Sequence, residues 1–211
     1  MNFLNFMNYN SGIKELRLRN SLSDDLKISH NYFKDQCIKK NIDLNLTGAA
    51  VLIPFTIRSN FIDILLTKRS AALDDHAGQV SFPGGRIDDK DSNPIETAKR
   101  ESFEEVGIKN KDIEVIGSLD VFQTGTGFRI IPIIGIVSEN IDYQINQNEV
   151  ESIFHLPLDY LMDKSNHKKE IKTFQQNENI MEYNSNVIEY GSNHIWGATA
   201  AMLMKVYKLL I

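Results

Sequence analysis

Residues 84–108, GGRIDDKDSNPIETAKRESFEEVGI, constrain this chain more than any other segment. Pro94 marks a helix start, because its fixed φ and missing N–H suit a first turn. A helix is expected over 95–106, and Gly107 follows it. Within that helix Glu101, Glu104 and Glu105 fall at offsets 0, +3 and +4, which share one face. Three carboxylates so placed repel one another unless a cation sits among them. Hard divalent ions such as Mg²⁺ or Mn²⁺ take oxygen ligands of this kind. The Gly84-Gly85 pair lets the backbone turn sharply in front of the helix. The run thus predicts a loop and helix that serve metal-bound phosphate chemistry.

Other classes are disfavoured by composition. The 211 residues, 42% of them hydrophobic, suffice for one sizeable core. A net charge of −5 argues against a broad nucleic-acid surface. Cys37 is the single cysteine, which rules out an intrachain disulfide and sets a reducing, cytoplasmic compartment as the expectation. The opening MNFLNFMNYNSG has no basic start and no sustained apolar stretch, so a signal peptide is not expected. No run approaches the ~18 apolar residues of a membrane span.

Along the chain, residues 12–40 carry Leu16, Leu18, Leu22, Leu26 and Ile28 among mixed charges, which suggests helices packed beside the main domain. The expected division is a helical extension over 1–47 and a main domain over 48–211. AAVLIPF (49–55) and FIDILLT (61–67) are strand-like runs with a short polar connection, a hairpin signal. Residues 74–94 are Gly-, Pro- and Asp-rich and read mostly as loop. Strands are expected at 112–122, 129–137 and 151–158, then a short helix near 157–163. Three weaker strand signals lie at 171–174, 180–183 and 187–190, before an amphipathic helix over 194–210. Strands and helices mix without strict alternation, which predicts an α+β fold: a mixed sheet between helices, an α/β/α sandwich.

Gly85, Arg100-Glu101, Glu104-Glu105 and Gly107-Ile108 resemble the Nudix box, a glycine, a spacer, then RE-U-x-EE-x-G-U with U bulky and apolar. The spacer here is one residue longer, its usual early glutamate is missing near Ser92, and the first U is Ser102. The upstream segment LLTKRSAALDDHAGQVSFPGG (65–85) is similar to the additional motif of the coenzyme A pyrophosphatase branch, which carries the longer spacer. TGFRIIPIIG (126–135), NEV (148–150) and HIWGATAAML (194–203) also look like that branch.

The resemblance implies a Nudix fold and a Mg²⁺- or Mn²⁺-dependent hydrolase. Its substrate would be coenzyme A or a derivative, cleaved to 3′,5′-ADP and phosphopantetheine or its acyl form. Other nucleoside diphosphate derivatives (ADP-ribose, NADH), nucleoside triphosphates and an inactive nucleotide-binding domain are the alternatives. Family members often form homodimers, so a homodimer is the expected assembly. By the same resemblance Gly85, Glu101, Glu104 and Glu105 are metal ligands and Arg100 orients Glu104. The general base is a box glutamate, Glu104 or Glu105, or the later Glu149; Glu151 matches less well. Arg69, His76 and Phe128 are substrate-contact candidates, each with an alternative as an ion pair, a loop support or core packing. Asp74-Asp75 stands where the branch often has a basic residue suited to a substrate phosphate. Trp196 is expected in the core, and no chemistry is assigned to His30, His155, His167, His194 or Cys37.

Overall fold

In the computed structural model, the structure describes Cys37, Asp43 and residues 45–73, 75–176 and 179–211. Apart from Cys37, the helices expected over 12–40 lie outside the described residues. The first described strand, β1, spans Thr47–Ile57 and forms the expected hairpin with β2 (Ile62–Arg69), Phe55 facing Ile64. Two short strands, β3 (Val80–Ser81) and β4 (Gly84–Arg86), fall in the stretch read as loop. They pair with β2 and β1 respectively. Helix α1 covers Pro94–Val106. Then come β5 (Ile113–Ser118), β6 (Phe122–Gln123), β7 (Phe128–Val137), β8 (Val150–Pro157) and a short helix α2 (Leu158–Met162).

The first eight strands make one sheet, β3-β2-β1-β7-β5, with β4 on β1, β6 on β7 and β8 on β2. β1 runs parallel to β7, from Thr47 beside Phe128 to Thr56 beside Val137. The other pairings are antiparallel, so the sheet is mixed as expected. The three weak strand signals resolve into two long strands, β9 (His167–Gln176) and β10 (Asn179–Tyr190). With β11 (Asn193–Ile195) they form a separate three-stranded sheet. The terminal helix α3 covers Gly197–Leu209, shorter than expected because β11 takes the first residues.

Side-chain alternation explains the layers. Ala50, Leu52 and Leu65 join Ile95, Ala98 and Val106 of α1 in one core, on one face of the sheet. Ile53, Phe55, Ile64 and Leu66 join Leu158 and Leu161 of α2 and Met202, Leu203 and Val206 of α3 on the other. A sheet buried on both faces needs near-continuous apolar strands, as β1, β2 and β7 have. Cys37 is fully buried in the α1-side core. Among the described residues no helix is long and apolar enough to cross a membrane.

Candidate active site

Helix α1 is set by its ends. The Asn93 side chain caps it, accepting from the N–H groups of Ile95 at 2.9 Å and Glu96 at 3.1 Å, with Pro94 following. Gly107 stops it in the left-handed conformation, φ 76°, donating to the Phe103 carbonyl at 2.9 Å. Ser102, the polar residue in an apolar box position, is fully buried. Its hydroxyl is satisfied inside the helix, donating to the Ala98 carbonyl at 2.6 Å.

The two glycines before the helix do different work. A Cβ on Gly84 would strike the backbone of β1, lying 2.5 Å from Val51 Cα. A Cβ on Gly85 would instead lie 2.5 Å from the Glu101 carboxyl carbon. Gly85 therefore presses its bare backbone against the Glu101 carboxylate. The Gly84 N–H also donates to Glu105 Oε2 at 3.2 Å. Strand β4 and helix α1 so enclose a cradle lined by peptide groups and two carboxylates.

The electrostatics of this cradle are those of two neighbouring carboxyl groups drawn largely away from water. Glu105 is 3% exposed. Burial pushes its pKa up to about 8, against the Gly84 hydrogen bond, with the Glu101 and Glu149 charges adding to the rise and Arg69 opposing it. Glu101 is raised as well, first by burial and against the Arg100 hydrogen bond, with Glu104 and Glu149 contributing. Glu149 thus acts on both carboxylates from outside the helix. The connection before β8 brings it there: Gln144 N–H donates to the Val106 carbonyl at 3.1 Å and Asn146 N–H to the Glu105 carbonyl at 2.9 Å. Ser70 N–H donates to the Glu149 carbonyl at 2.8 Å, and the Asn146 amide to Glu149 Oε1 at 3.0 Å.

Arg100 ties the spacer to the helix. Its Nη1 donates to Glu101 at 2.8 Å and to Glu104 at 3.0 Å, the latter an i,i+4 pair. Its Nε and Nη2 donate to the two oxygens of Asp91 at 3.0 and 2.9 Å, a bidentate pair. Arg100 Nη2 also reaches the Arg86 carbonyl at 3.1 Å. These bonds hold the Asp91 carboxyl down at about 2. Asp91 escaped the sequence reading. It stands one residue before Ser92, where the spacer lacks its glutamate, and it supplies a carboxylate there. Thr97 and the Asp88 N–H complete its shell at 2.8 and 3.0 Å.

The remaining candidates separate. Arg69 lies at the end of β2, where the pairing with β8 shifts register. Its Nε is buried without a hydrogen-bond partner, and its charge acts on Glu105. Glu104 is at the rim, its side chain 49% exposed. Glu151 points elsewhere, into an exposed ion pair with Lys68 at 2.8 Å. His76 is exposed, in a left-handed turn with φ 58°, its ring 3.2 Å from the Gln79 amide oxygen. Phe128 is half-buried at the start of β7 beneath the Arg86 guanidinium, 5.6 Å from its ring centroid. Trp196 is not a core residue: it is half-buried before α3, with the Lys172 ammonium 4.9 Å from its ring centroid. His194 has carboxylate neighbours that chain spacing did not show. Glu170, Glu189 and His194 bring their ligand atoms within 4.8 Å of one another on the three-stranded sheet. Glu170 there already pairs with Lys172 at 2.8 Å, and His194 Nδ1 lies 2.7 Å from Glu189.

The cradle suits a hard divalent ion. The Glu101 and Glu105 side chains there offer only oxygen atoms, and Gly85 leaves the space beside Glu101 that a side chain would fill. A cation there would also relieve the carboxylates of their mutual repulsion.

A sheet that seats glycine backbone against a glutamate-bearing helix is a Nudix-type arrangement, and the NUDIX domain model matches residues 46–179, more than half of the chain. The chain belongs to the NUDIX domain family. It is 47% identical over 115 residues to an uncharacterised Nudix hydrolase, NudL, of Citrobacter koseri, a match covering 54% of this chain and 59% of that protein. The NudL of Yersinia enterocolitica is 46% identical over 114 residues, 54% of this chain and 58% of that one. The chain thus spans somewhat over half the length of these curated relatives. Among solved structures, a MutT/nudix family protein from Enterococcus faecalis is 12% identical with a TM-score of 0.49, covering 84% of this chain and 71% of that one. A C. elegans Ap4A hydrolase complex is 18% identical with a TM-score of 0.46, covering 54% and 82%.

Proposed function

We propose that this protein hydrolyses the diphosphate bond of coenzyme A or its derivatives, with Mg²⁺ or Mn²⁺, releasing 3′,5′-ADP and (acyl-)phosphopantetheine. The observation that carries the reaction class is the cradle: Gly85 backbone against Glu101, and beside it a Glu105 carboxylate buried where only a cation makes its charge stable. The substrate class rests on the resemblance of residues 65–85. That stretch is physically part of the site, since Ser70 holds the Glu149 backbone and the Arg69 charge acts on Glu105.

In this reading Gly85, Glu101 and Glu105 hold the metal, and Glu104 steadies it from the rim through Arg100. Bound there, the metal neutralises diphosphate oxygens and acidifies water. Arg69 directs its partnerless buried Nε toward a phosphate oxygen. Glu149, outside the helix and oriented by Asn146, accepts the proton of the attacking water. The water oxygen bonds to one phosphorus, the bond from that phosphorus to the bridging oxygen breaks, and the bridging oxygen leaves on the other phosphate. Arg100 and Asp91 keep Glu101 and Glu104 in position, which matters because misplacement by about 1 Å can cost a hundredfold in rate.

A panel of coenzyme A, ADP-ribose, NADH and dGTP with Mg²⁺ or Mn²⁺ tests the substrate. Coenzyme A is expected to be cleaved fastest, and a ranking that puts it last overturns the substrate class. Glu105→Gln is expected to abolish metal-dependent hydrolysis in a folded protein; full activity in that variant removes the metal assignment.

A further inference from the structure

Each strand of the three-stranded sheet supplies one metal-ligating side chain to a single cluster. Glu189 of β10 faces His194 of β11 in the register, and Glu170 of β9 faces Ser185 of β10. Ser185 and Glu189 are four residues apart on one strand, so all four side chains lie on one face of this sheet. There the ligand atoms of Glu170, Glu189 and His194 come within 4.8 Å of one another. The three side chains are 38–40% exposed, open to an ion from solvent.

The His194 ring is set by its neighbours. A neutral imidazole carries one N–H and one lone pair, and a carboxylate only accepts. Nδ1 lies 2.7 Å from Glu189 Oε1, which fixes the ring proton on that side. Nε2 then keeps its lone pair, with Glu170 Oε2 3.7 Å away. Two electron-rich atoms so placed repel each other unless a cation joins them. The gap is close to the separation of two ligands bonded to one ion at about 2.0–2.2 Å each. The chain itself already sends a cation here: Lys172 Nζ contacts the same Glu170 oxygen at 2.8 Å and lies 4.9 Å from the Trp196 ring centroid. A ring nitrogen beside carboxylate oxygens favours a borderline ion such as Zn²⁺ over Mg²⁺, which keeps to oxygen.

We propose that Glu170, Glu189 and His194 form a second metal site, for Zn²⁺ or a similar borderline divalent ion. His194 Nε2 and the Glu170 carboxylate bind the ion, and water completes its shell. Glu189 aims the ring through the Nδ1–H, the carboxylate–histidine–metal arrangement. Lys172 is the competitor that the ion displaces. A bound ion ties β9 to β11, and β11 leads directly into α3, whose Thr199 hydroxyl donates to the Val80 carbonyl of β3 at 2.9 Å.

Trp196, the single tryptophan, reports on the site through Lys172. Its fluorescence is titrated with Ni²⁺, a quencher, in a large excess of Mg²⁺, with melting curves to verify folding. Saturable quenching is expected in the wild type, and Zn²⁺, which does not quench, is expected to restore the emission. Glu170→Gln and His194→Gln are each expected to weaken the ion at least about tenfold, and Glu189→Gln about tenfold, the range for losing an orienting partner. Lys172→Gln is expected to tighten it several-fold by removing the competitor. Glu105→Gln, at the cradle, is expected to be quenched like the wild type. Absence of saturable quenching overturns the site, as does quenching that survives both Glu170→Gln and His194→Gln. Quenching lost in Glu105→Gln instead places the ion at the cradle and overturns the site as well.

Discussion

Adding one methyl group at Gly85 separates the two duties of the glycine pair. In Gly85→Ala the new Cβ would lie 2.5 Å from Glu101 Cδ and Oε2 and 2.6 Å from Oε1. Carbon contacts are normally about 3.5–4.0 Å, so the overlap is about 1 Å. The atoms struck are the end of a side chain that can swing away, not backbone. The stability loss is therefore expected at the low end of overpacking, about 1 kcal/mol, or a melting shift of about 2–4 °C for a chain of this size. The chemical effect is expected to be far larger. A Glu101 carboxylate displaced by about 1 Å costs on the order of 10²-fold in rate, and the Mg²⁺ concentration for half-maximal activity rises with it. Gly84→Ala reverses the pattern, because its Cβ would strike the Ala50 carbonyl and Val51 Cα, at 2.5 Å, in a central strand. That overlap must move backbone, and about 3 kcal/mol or more of stability is expected to go. Thermal melting and metal-titrated kinetics on the two variants decide the matter. Wild-type activity and metal dependence in Gly85→Ala would refute the cradle.

Asp91→Asn is expected to loosen Arg100 and lower activity about tenfold, while changing the acid limb of stability. The Asp91 pKa is depressed, from 3.8 to about 2, so its contribution is present above about 4 and lost as pH falls through about 2. The full shift corresponds to roughly 2.4 kcal/mol, and with Arg100 31% exposed, solvent screening leaves about 1 kcal/mol. Urea unfolding at pH 7 and pH 2 should show the wild type and variant converging at the lower pH; a constant gap would contradict the assignment. Glu149→Gln is expected to lower kcat by about 10²- to 10⁴-fold, the range for a general base, with KM nearly unchanged. A rise in KM at constant kcat would make Glu149 a binding residue instead.

The parts legible from residues alone are those set by local rules. Pro94 and Gly107 delimit α1 because φ preferences act within a few residues. The three glutamates share a face because a helix has a fixed period, and β1, β2 and β7 read as strands because both their faces are buried. The α+β class follows from that sequence of elements. Asp91 was not legible, since an aspartate in an Asp-rich spacer looks like its neighbours until the turn carries it back onto Arg100. The length of β9 and β10 was hidden for a related reason: a sheet with exposed positions such as Ile171 and Tyr183 lacks a continuous apolar run. Trp196 looked like core because a large ring on an amphipathic stretch usually is, yet β11 moves the helix start past it.

The sequence by itself determined the local pieces: the helix with its carboxylates, the bare glycine turn before it and the apolar strands. Only the tertiary structure decided which pieces meet. It set Gly85 against Glu101, brought Glu149 to the cradle through backbone bonds to the end of α1, and gathered Glu170, Glu189 and His194 from three strands. Pairing across a sheet joins residues far apart in the chain. Its register depends on the sum of many contacts, which no short segment encodes.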